Sequence, residues 1–487
     1  IREFERLSTA TLNAYLQPLV SSYVDKLQGG LTARGFGGDL LIVQSNGGVM
    51  SVSDTRSKPV RTALSGPAAG VTAARAIAAA AGFENIITCD MGGTSFDVSL
   101  VAKGEAALAA QTSIDFGMVI RTPMIEITTI GAGGGSIAWI DQSGLLQVGP
   151  QSAGSDPGPV CYGLGSTEPT VTDANLVLGR INPDRPIGGK LDRLDVEAAR
   201  NAIITMIGAP LDLTTEEAAE AILKLANAKM AGAIRLVSIE QGHDPAKFAA
   251  MPFGGGGSLH TGALIKEVGL QGALVPRFPG ITSALGCVVA DMRHDRVQTV
   301  NAMLESMDLD DLAGDMRQVA DDLTRMLQAT DVSFDSIETR FELDMLYLGQ
   351  THSVAVPIEL PTDLTAIADA FDTAYQAAYG RLLADIPKRV MNYRVTVIGQ
   401  RPDIDMRSFA PNERQSLEAC LLGYRQVYAH GTQHDTPRYD RLALAVGETV
   451  IGPALLEQPD TTIFVDPGLK ARVDNFGNLV ITRDEDK

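Results

Sequence analysis

Three separate glycine clusters constrain the fold of this sequence more than any other feature. They lie at residues 92–93, 131–135 and 254–257, and each joins two segments whose apolar patterns predict strands or helices. Glycine has no side chain, so the backbone at such a junction can approach a ligand or another segment closely. One glycine loop is weak support for a binding site, whereas three at element junctions favour a single nucleotide cleft.

The segments around these clusters alternate between strand and helix patterns. An alanine-rich helix is predicted at 65–83, a strand at 86–90, and a strand, glycine loop and helix at 251–269. This alternation predicts an α/β fold. The pattern changes near residues 300 and 400, and we therefore predict a first domain, an α+β segment and a C-terminal β-rich domain at 1–300, 301–400 and 401–487.

The segment DMGGTSFDVSL has the most specific chemical pattern in the chain. If it forms a β-hairpin, Gly92 and Gly93 in the turn expose backbone N–H groups to phosphate oxygens, and Thr94 adds a hydroxyl donor. Carboxylates do not bind phosphate directly, but Asp90 and Asp97 can hold a Mg²⁺ ion that bridges to the phosphates. The alternative is a tight hairpin whose aspartates only cap the turn.

A run of four glycines follows a short apolar stretch and begins a predicted helix, at Gly254, Gly255, Gly256 and Gly257. Only backbone fits at such a place, which favours close packing against a nucleobase or ribose. The glycine clusters match neither the Walker pattern GxxxxGK[ST] nor a GxGxxG followed by an acidic residue at the dinucleotide-binding distance. The P-loop and dinucleotide interpretations are therefore disfavoured.

Charge and cysteine spacing exclude several classes of partner. The formal net charge of −19 leaves no basic stripe for a phosphate backbone, so nucleic acid is not an expected partner. No apolar run reaches the ~18 residues that span a bilayer, so no membrane association is expected. The four cysteines are widely spaced without a CxxC pair, which is typical of reduced thiols in a cytoplasmic protein.

Other polar residues lie close to the glycine clusters. His260 follows the tetraglycine run and is a candidate for contact with substrate or phosphate, with helix capping or packing as the alternative. For Asp156 and Asp173, both in predicted loops, an Asx turn is the alternative to cation binding. The glycine- and proline-rich segment 148–165 is predicted to be either an ordered binding loop or a linker.

The ordered motifs of the chain resemble those of the hydantoinase A/5-oxoprolinase family along nearly its whole length. The motifs are SNGGVMS, SGPAAGV, DMGGTSFDVSL, TIGAGGGSIAW, GPQSAGSDPGPVCYG, TVTDANLVLGRINP, EQGHDP, FGGGGSLHTGAL, PGITSALGCVVADMRHD and GPALLEQPDTTIFVDPG. The resemblance implies an actin-like ATPase (ribonuclease H-like) domain. It also implies the A-type subunit of an ATP-dependent cyclic amide hydrolase, which acts with a B-type subunit. Subunits of ATP-dependent ketone carboxylases are related, and they stay open as an alternative.

The resemblance also implies roles for individual residues. Asp90, Gly92, Gly93, Thr94 and Asp97 match a phosphate and metal turn of the family, with the two aspartates as catalytic, Mg²⁺-binding groups. The tetraglycine run matches the adenosine-side loop. The expected cofactors are therefore ATP and Mg²⁺, and the expected reaction is phosphorylation of the amide before hydrolytic ring opening.

Two departures from the family pattern lead to further expectations. Many relatives have Asp-Ile-His where this chain has Glu126, Ile127 and Thr128, so that histidine has no counterpart here, and a different substrate is indicated. The family usually has a further N-terminal region with its own Asp-Gly-Gly-Thr turn, which this sequence does not include. A partner-binding fragment that does not turn over nucleotide is therefore a third alternative.

Overall fold

The computed structural model describes residues 3–109, 111–114, 117–189, 191–411 and 415–484. The chain forms two compact units, each drawn from several stretches of sequence. The first unit comprises Ile1–Ser65, Ala110–Pro123 and Val289–Asp403. The second comprises Gly66–Ala109, Met124–Val288 and Ile404–Lys487. Within the described ranges, no helix is both long and apolar enough to cross a bilayer.

The first unit contains a six-stranded sheet. Its strands, in spatial order, are Leu41–Val43, Val49–Ser51, Met292–Met303, Lys388–Gln400, Ser336–Tyr347 and Val354–Ile358. Its helices are Glu3–Ala33, Val52–Ser57, Leu309–Gln328 and Leu364–Tyr379. Helix Leu309–Gln328 shows why these segments fold as they do: Asp308 caps its first turn, and its buried residues recur at helical spacing, as Leu312, Met316, Val319, Leu323 and Leu327.

The hairpin Leu41–Ser51 explains why the first unit is discontinuous in sequence. Val49 pairs in parallel with Met292, so this hairpin extends the sheet that is otherwise formed by residues 292–400. The compact units therefore do not coincide with the consecutive ranges 1–300 and 301–400 predicted from composition. Backbone pairing between distant segments, which composition does not report, determines the division.

The second unit contains a nine-stranded mixed sheet. Its main path, in spatial order, is Thr128–Ile130, Phe96–Ala102, Ile86–Met91, Ala249–Phe253, Gly272–Val275, Leu479–Arg483, Leu469–Val473 and Thr449–Ile451, and Glu105–Ala106 pairs with Phe96–Ala102. Its helices of seven or more residues are Ser65–Ala81, Val171–Val177, Val196–Ile203, Thr215–Val237, Thr261–Val268 and Thr282–Val289. A second sheet has four strands, Leu421–Ala429, Thr432–Asp440, Ala454–Gln458 and Thr461–Val465. Ser136–Ile140 pairs with Leu146–Ser152 as a separate hairpin.

Three adjacent parallel strands form the buried centre of the large sheet, Ile86–Met91, Ala249–Phe253 and Gly272–Val275. Their nearly continuous apolar sequences are typical of strands covered on both faces. Ile86 and Met251 pack in the cluster that contains helix Ser65–Ala81, whereas Ile87 and Ala250 pack in the cluster that contains helix Thr215–Val237. The sequence thus predicts correctly the α/β class and the strands that precede the glycine clusters at 92–93 and 254–257.

The C-terminal strands complete the large sheet rather than form a separate domain at 401–487. Strand Leu479–Arg483 pairs antiparallel with Gly272–Val275, with Ile481 opposite Ala273. The apolar residues of this strand, Leu479 and Ile481, are buried in the same core as the parallel strands. The region contains the strands that its sequence predicts. The position of strand Leu479–Arg483 in the large sheet, however, depends on its pairing with a strand about two hundred residues earlier in the chain.

Candidate functional site

Asp90 and Asp97 face each other across the hairpin of the large sheet. Asp90 lies near the end of strand Ile86–Met91, and the register places it directly opposite Asp97 on the antiparallel strand Phe96–Ala102. Both residues are half-buried. The spacing DMGGTSFD therefore forms the hairpin predicted from the sequence, with its two carboxylates side by side.

The turn between the two aspartates is open. Gly92 donates its backbone N–H to the carbonyl oxygen of Ser95 at 3.2 Å, and Gly92, Gly93 and Thr94 are exposed. A Cβ atom built on Gly92 or Gly93 meets no described heavy atom within 4 Å beyond its chain neighbours. These two glycines therefore leave space for a ligand and are not required by packing inside the protein.

The tetraglycine run lies at the same edge of the sheet. Phe253, the residue before it, pairs in parallel with Asp90, and Gly254–Gly257 form one helical turn. Gly254 has a φ of +75°, and a Cβ there would lie 2.6 Å from Oδ1 of Asp90. A Cβ on Gly255 would meet only Ile187 among the described residues, at 3.8 Å. The first glycine is thus required by packing against Asp90, whereas Gly255 is nearly free.

The third glycine cluster supports the aspartate hairpin from the other side. Gly134 and Gly135 donate their backbone N–H groups to the carbonyl oxygens of Gly92 and Gly93, at 3.0 and 2.6 Å. A Cβ on Gly133 would lie 2.6 Å from the carbonyl carbon of Thr94, so only glycine fits there. All three glycine clusters therefore converge, as the sequence predicts.

The pKa of Asp90 is raised to about 6, first by burial and then by the neighbouring charge of Asp97, while a hydrogen bond from Ser283 acts in the opposite direction. Burial also raises the pKa of Asp97, against hydrogen bonds from Thr129 and Ser95 that lower it. Two carboxylates that repel each other in a half-buried site are a good fit for a divalent cation, which would neutralise both.

The donor set suits magnesium bound together with phosphates. Among the described residues, no group of three or more His, Cys, Asp and Glu side chains is arranged to hold a metal ion alone. Mg²⁺ usually takes one or two protein carboxylates and completes its shell with water and substrate phosphates. Asp90 and Asp97 beside an open glycine turn offer that incomplete set.

His260 is a buried structural residue. Its Nδ1 lies 2.6 Å from Oδ1 of Asn227, and its Nε2 lies 3.5 Å from Nδ2 of Asn175. The pKa of His260 is lowered to about 3, first by burial and then by the charge of Arg180, so the ring is neutral. The packing alternative is correct for this residue, and the contact with substrate or phosphate is not.

Asp173 likewise has a structural role. Its carboxylate accepts hydrogen bonds from the backbone of Thr170, Val160 and Cys161 at 2.8–3.1 Å, and it forms a capping box with Thr170. These bonds join Val160 and Cys161, near the end of the segment 148–165, to the start of helix Val171–Val177. Asp156 is exposed in the same segment.

Sequence reasoning missed three contacts around the carboxylates and the tetraglycine turn. Thr129 Oγ1 donates to Asp97 at 2.6 Å, and Ser283 hydrogen-bonds Asp90. Thr461 Oγ1 donates to the carbonyl oxygen of Gly255 at 3.1 Å, which joins strand Thr461–Val465 to the tetraglycine turn. No sequence spacing relates these hydroxyls to their partners, so only strand and helix packing reveals them.

The raised pKa of Asp90 predicts a pH dependence of stability. The folded chain keeps this proton up to about pH 6, whereas the unfolded chain loses it near 3.8, so deprotonation disfavours folding as the pH rises through this window. We expect Asp90→Asn to stabilise the metal-free protein relative to wild type by ~1–2 kcal/mol more at pH 7 than at pH 4. Urea unfolding in chelator at both pH values measures this difference, and an equal effect at both would contradict the prediction.

The fold and the site together define a class of protein. It is an α/β protein with paired carboxylates and open glycine turns at the carboxyl edge of parallel strands, where ligands of open α/β sheets generally bind. More specifically, the chain belongs to the hydantoinase/oxoprolinase family. The Hydantoinase/oxoprolinase profile matches residues 6–296, and the profile of the family's C-terminal domain matches residues 306–482. Membership confirms the resemblance in the sequence motifs.

Several named proteins are similar in sequence to nearly the whole of this chain. Caprolactamase subunit alpha of Pseudomonas jessenii is 36% identical over 99% of this chain and 70% of its own length. The acetophenone carboxylase gamma subunit of Aromatoleum aromaticum is 34% identical over 99% of this chain and 67% of its own. For 5-oxoprolinase 1 of Arabidopsis thaliana the identity is 31%, over 99% of this chain and 39% of the relative.

Two solved structures are similar over nearly the whole chain. The ATP-dependent caprolactamase from Pseudomonas jessenii has a TM-score of 0.86 at 35% identity, covering 100% of this chain and 71% of that one. Nucleotide-free acetone carboxylase has a TM-score of 0.80 at 26% identity, covering 99% and 70%. The mixed α/β architecture is therefore similar to that of both the caprolactamase and the acetone carboxylase.

Proposed function

We propose that this chain is the ATP-hydrolysing A-type subunit of an ATP-dependent cyclic amide hydrolase of the hydantoinase or 5-oxoprolinase type. One observation carries the proposal: the paired carboxylates, the open diglycine turn and the tetraglycine turn lie together at one sheet edge. The similarity to a caprolactamase described as ATP-dependent supports ATP as the nucleotide. The subunit names of the relatives support a hetero-oligomer, and we propose a B-type subunit as the partner.

Each part of the site has a task in this proposal. The backbone N–H groups of the turn at Gly93 and Thr94 would bind phosphate oxygens, and Asp90 and Asp97 would hold Mg²⁺, which neutralises charge on the phosphates. The tetraglycine turn would lie on the adenosine side. We assign this part of the chain to the actin-like ATPase (ribonuclease H-like) class, with Asp90 and Asp97 as its catalytic aspartates.

Cyclic amides resist hydrolysis because the amide is resonance-stabilised and its nitrogen leaves poorly. Transfer of the γ-phosphoryl group of ATP to the amide oxygen releases ADP and makes the carbonyl carbon electrophilic. Water then attacks that carbon, and the ring C–N bond breaks as the nitrogen takes up a proton and leaves as an amine, so that an acyl phosphate remains. A second water hydrolyses the acyl phosphate to the carboxylate and inorganic phosphate. Positioning and charge neutralisation are sufficient for the first step, which needs no nucleophilic side chain.

The rival function is that of the ATP-hydrolysing subunit of a ketone carboxylase. It is favoured by the identity of 34% to an acetophenone carboxylase subunit, which is close to the 36% for caprolactamase. In that case the phosphorylated group is an enolate or bicarbonate instead of an amide. The nucleotide site is the same for both, so the acceptor decides between them.

Acceptor-stimulated ATP hydrolysis tests the proposal. We expect phosphate release by the chain, together with its B-type subunit and Mg²⁺, to rise at least ~10-fold with caprolactam, 5-oxoproline or hydantoin. Acetone or acetophenone with bicarbonate is the matched comparison, and stimulation by these ketones alone would favour the carboxylase. If Mg-ATP gives no binding heat at millimolar nucleotide and no acceptor stimulates hydrolysis, a non-catalytic partner-binding role would replace both.

A further inference from the structure

A cavity of about 60 Å³ lies within the second compact unit, away from the paired carboxylates. One of its walls is helix Ser65–Ala81, through Ile77 and Ala80. In the same helix, Gly70 adjoins Ser283, the residue that hydrogen-bonds the carboxylate site. Because a helix rises 1.5 Å per residue, Ile77 is ~10 Å further along the helix than Gly70. The cavity is therefore separate from the proposed ATP site.

The walls of the cavity are mainly apolar. Besides the helix, they come from the segment after strand Gly272–Val275, from the turn Met406–Phe409 and from the loop before strand Leu479–Arg483. Their large side chains are Phe278, Ile281, Leu285, Met406, Phe409 and Phe476. The volume is several times the ~10–15 Å³ that one water molecule needs. The cavity therefore has room for a small organic molecule, whose apolar part gains by leaving water.

Arg277 is the one charged residue among the described residues that line this cavity. Its Nη2 donates to the carbonyl oxygen of Leu442 at 3.1 Å, whereas its Nε and Nη1 are buried without a hydrogen-bond partner in the described part of the chain. The other polar residues of the lining, Thr282 and Asn478, already donate to protein acceptors. A guanidinium presents its donors as a planar fork, which binds a carboxylate through two parallel hydrogen bonds.

A second arginine lies next to Arg277. Arg441 is fully buried, and its Nη2 donates to the carbonyl oxygen of Gly477, while its Nε and Nη1 have no partner within the described ranges. Arg277 adjoins the same glycine, since a Cβ on Gly477 would lie 2.8 Å from Nη1 of Arg277. The pKa of Arg441 is lowered to about 9, first by burial and then by the charge of Arg277. Two guanidinium groups that repel each other thus lie together beside the cavity.

The carboxylates near these arginines are used elsewhere. Asp474 and Asp460 attract Arg441 through space, but neither is hydrogen-bonded to it in the part of the chain that the structure describes. Asp474 accepts from two backbone N–H groups of its own turn at 2.8 Å each, and Asp460 accepts from the backbone of Gly280 at 2.8 Å. Buried cationic donors without a partner are costly, which favours an anion from outside the chain.

We infer that this cavity binds a short-chain aliphatic carboxylate, with the carboxylate on the guanidinium of Arg277 and the alkyl chain against the apolar walls. The site needs no nucleotide and goes beyond the proposed function. One hydrogen bond holds the guanidinium, so it can turn its two unpartnered nitrogens to the anion. The charge of Arg441 adds to the attraction, and the volume limits the ligand to ~4 carbon atoms.

Butanoate is the probe for this site, and Met406 reports its binding from the cavity wall. The methionine methyl groups of the full chain are labelled with ¹³C, and the Met406 signal is identified by its loss in Met406→Leu. We expect the signal to shift and to saturate with a Kd of ~0.1–10 mM. Butanamide has the same shape without the charge and should bind at least ~10-fold more weakly. Inorganic phosphate, which has no apolar part, should leave the signal unchanged.

Three variants separate the anion contact from the apolar contact. Arg277→Gln removes the charge and should weaken butanoate at least ~10-fold without a change for butanamide. Ala80→Leu extends an exposed helix position into the cavity and should abolish the shift. Arg407→Gln, at an exposed position in the turn Met406–Phe409, is the matched control for loss of one arginine and should match wild type.

Saturable binding of butanoate that is weaker in Arg277→Gln and absent in Ala80→Leu supports the inference. Equal affinity for butanoate and butanamide, wild-type affinity in Arg277→Gln, or no saturable shift at ~50 mM butanoate overturns it. If Arg277→Gln lowers the melting temperature, Ala80→Leu and the comparison with butanamide decide. Binding of Mg-ATP is measured independently, so a failure here does not affect the proposed function.

Discussion

Asp90→Asn is expected to reduce Mg²⁺-dependent ATP hydrolysis by ~1,000-fold or more while the chain stays folded. Asparagine has the shape of aspartate, so the contact with Gly254 is kept, but it offers no negative charge to a cation. Asp97 alone would then face the metal, and the phosphate charge would be poorly neutralised. Phosphate release at saturating Mg²⁺ measures the loss, with the proposed acceptor and partner present.

Folding of this variant can be checked independently. Removal of a half-buried carboxylate that is repelled by Asp97 should leave the melting temperature at pH 7 equal to wild type or higher. Asp321→Asn, on the exposed side of helix Leu309–Gln328, is a surface control for loss of one charge. If Asp90→Asn hydrolyses ATP at the wild-type rate, Asp90 is not part of the site. If its melting temperature is lowered, the loss of activity is measured instead in a second variant that stays folded, Asp90→Ser.

The parts of the fold that depend on local pattern could be predicted from the sequence. The helix Ser65–Ala81 follows from an alanine-rich segment that ends at Gly82, and the strand Ile86–Met91 from a short apolar run. The hairpin between Asp90 and Asp97 follows from the diglycine turn. Each of these is decided by residues close together in the chain, so one sequence is enough.

The parts that depend on distant pairing could not be predicted. The alternating pattern of Leu479–Arg483 predicts a strand, but nothing in its sequence indicates that this strand pairs with Gly272–Val275. Thr129 and Ser283 are ordinary hydroxyl residues whose importance depends on the carboxylates that they contact. His260 gave a misleading signal for the same reason, because its position after the tetraglycine run suggests a ligand contact while its ring points into the core.

The tetraglycine run shows how one pattern can have two causes. A glycine run predicts that side chains are excluded, but the sequence does not say whether protein or ligand excludes them. At Gly254 the protein itself excludes a side chain, since the φ of +75° and the contact with Asp90 both require glycine. Gly255 has neither constraint, so its lack of a side chain is better explained by a ligand on its open side.

Substitution of these two neighbours by alanine should therefore affect different properties, the stability of the protein at Gly254 and nucleotide binding at Gly255. Gly254→Ala places a Cβ 2.5 Å from the carbonyl oxygen of Met91 and forces a left-handed backbone on alanine, so we expect a loss of ~2–4 kcal/mol in the free energy of unfolding. Gly255→Ala meets only Ile187, at 3.8 Å, and should change stability by less than ~1 kcal/mol while it weakens binding of the ATP analogue ~10-fold or more. Urea unfolding and calorimetry of both variants separate the two causes. Wild-type stability of Gly254→Ala would contradict the packing explanation, and wild-type nucleotide affinity of Gly255→Ala would move the adenosine side of the site away from this turn.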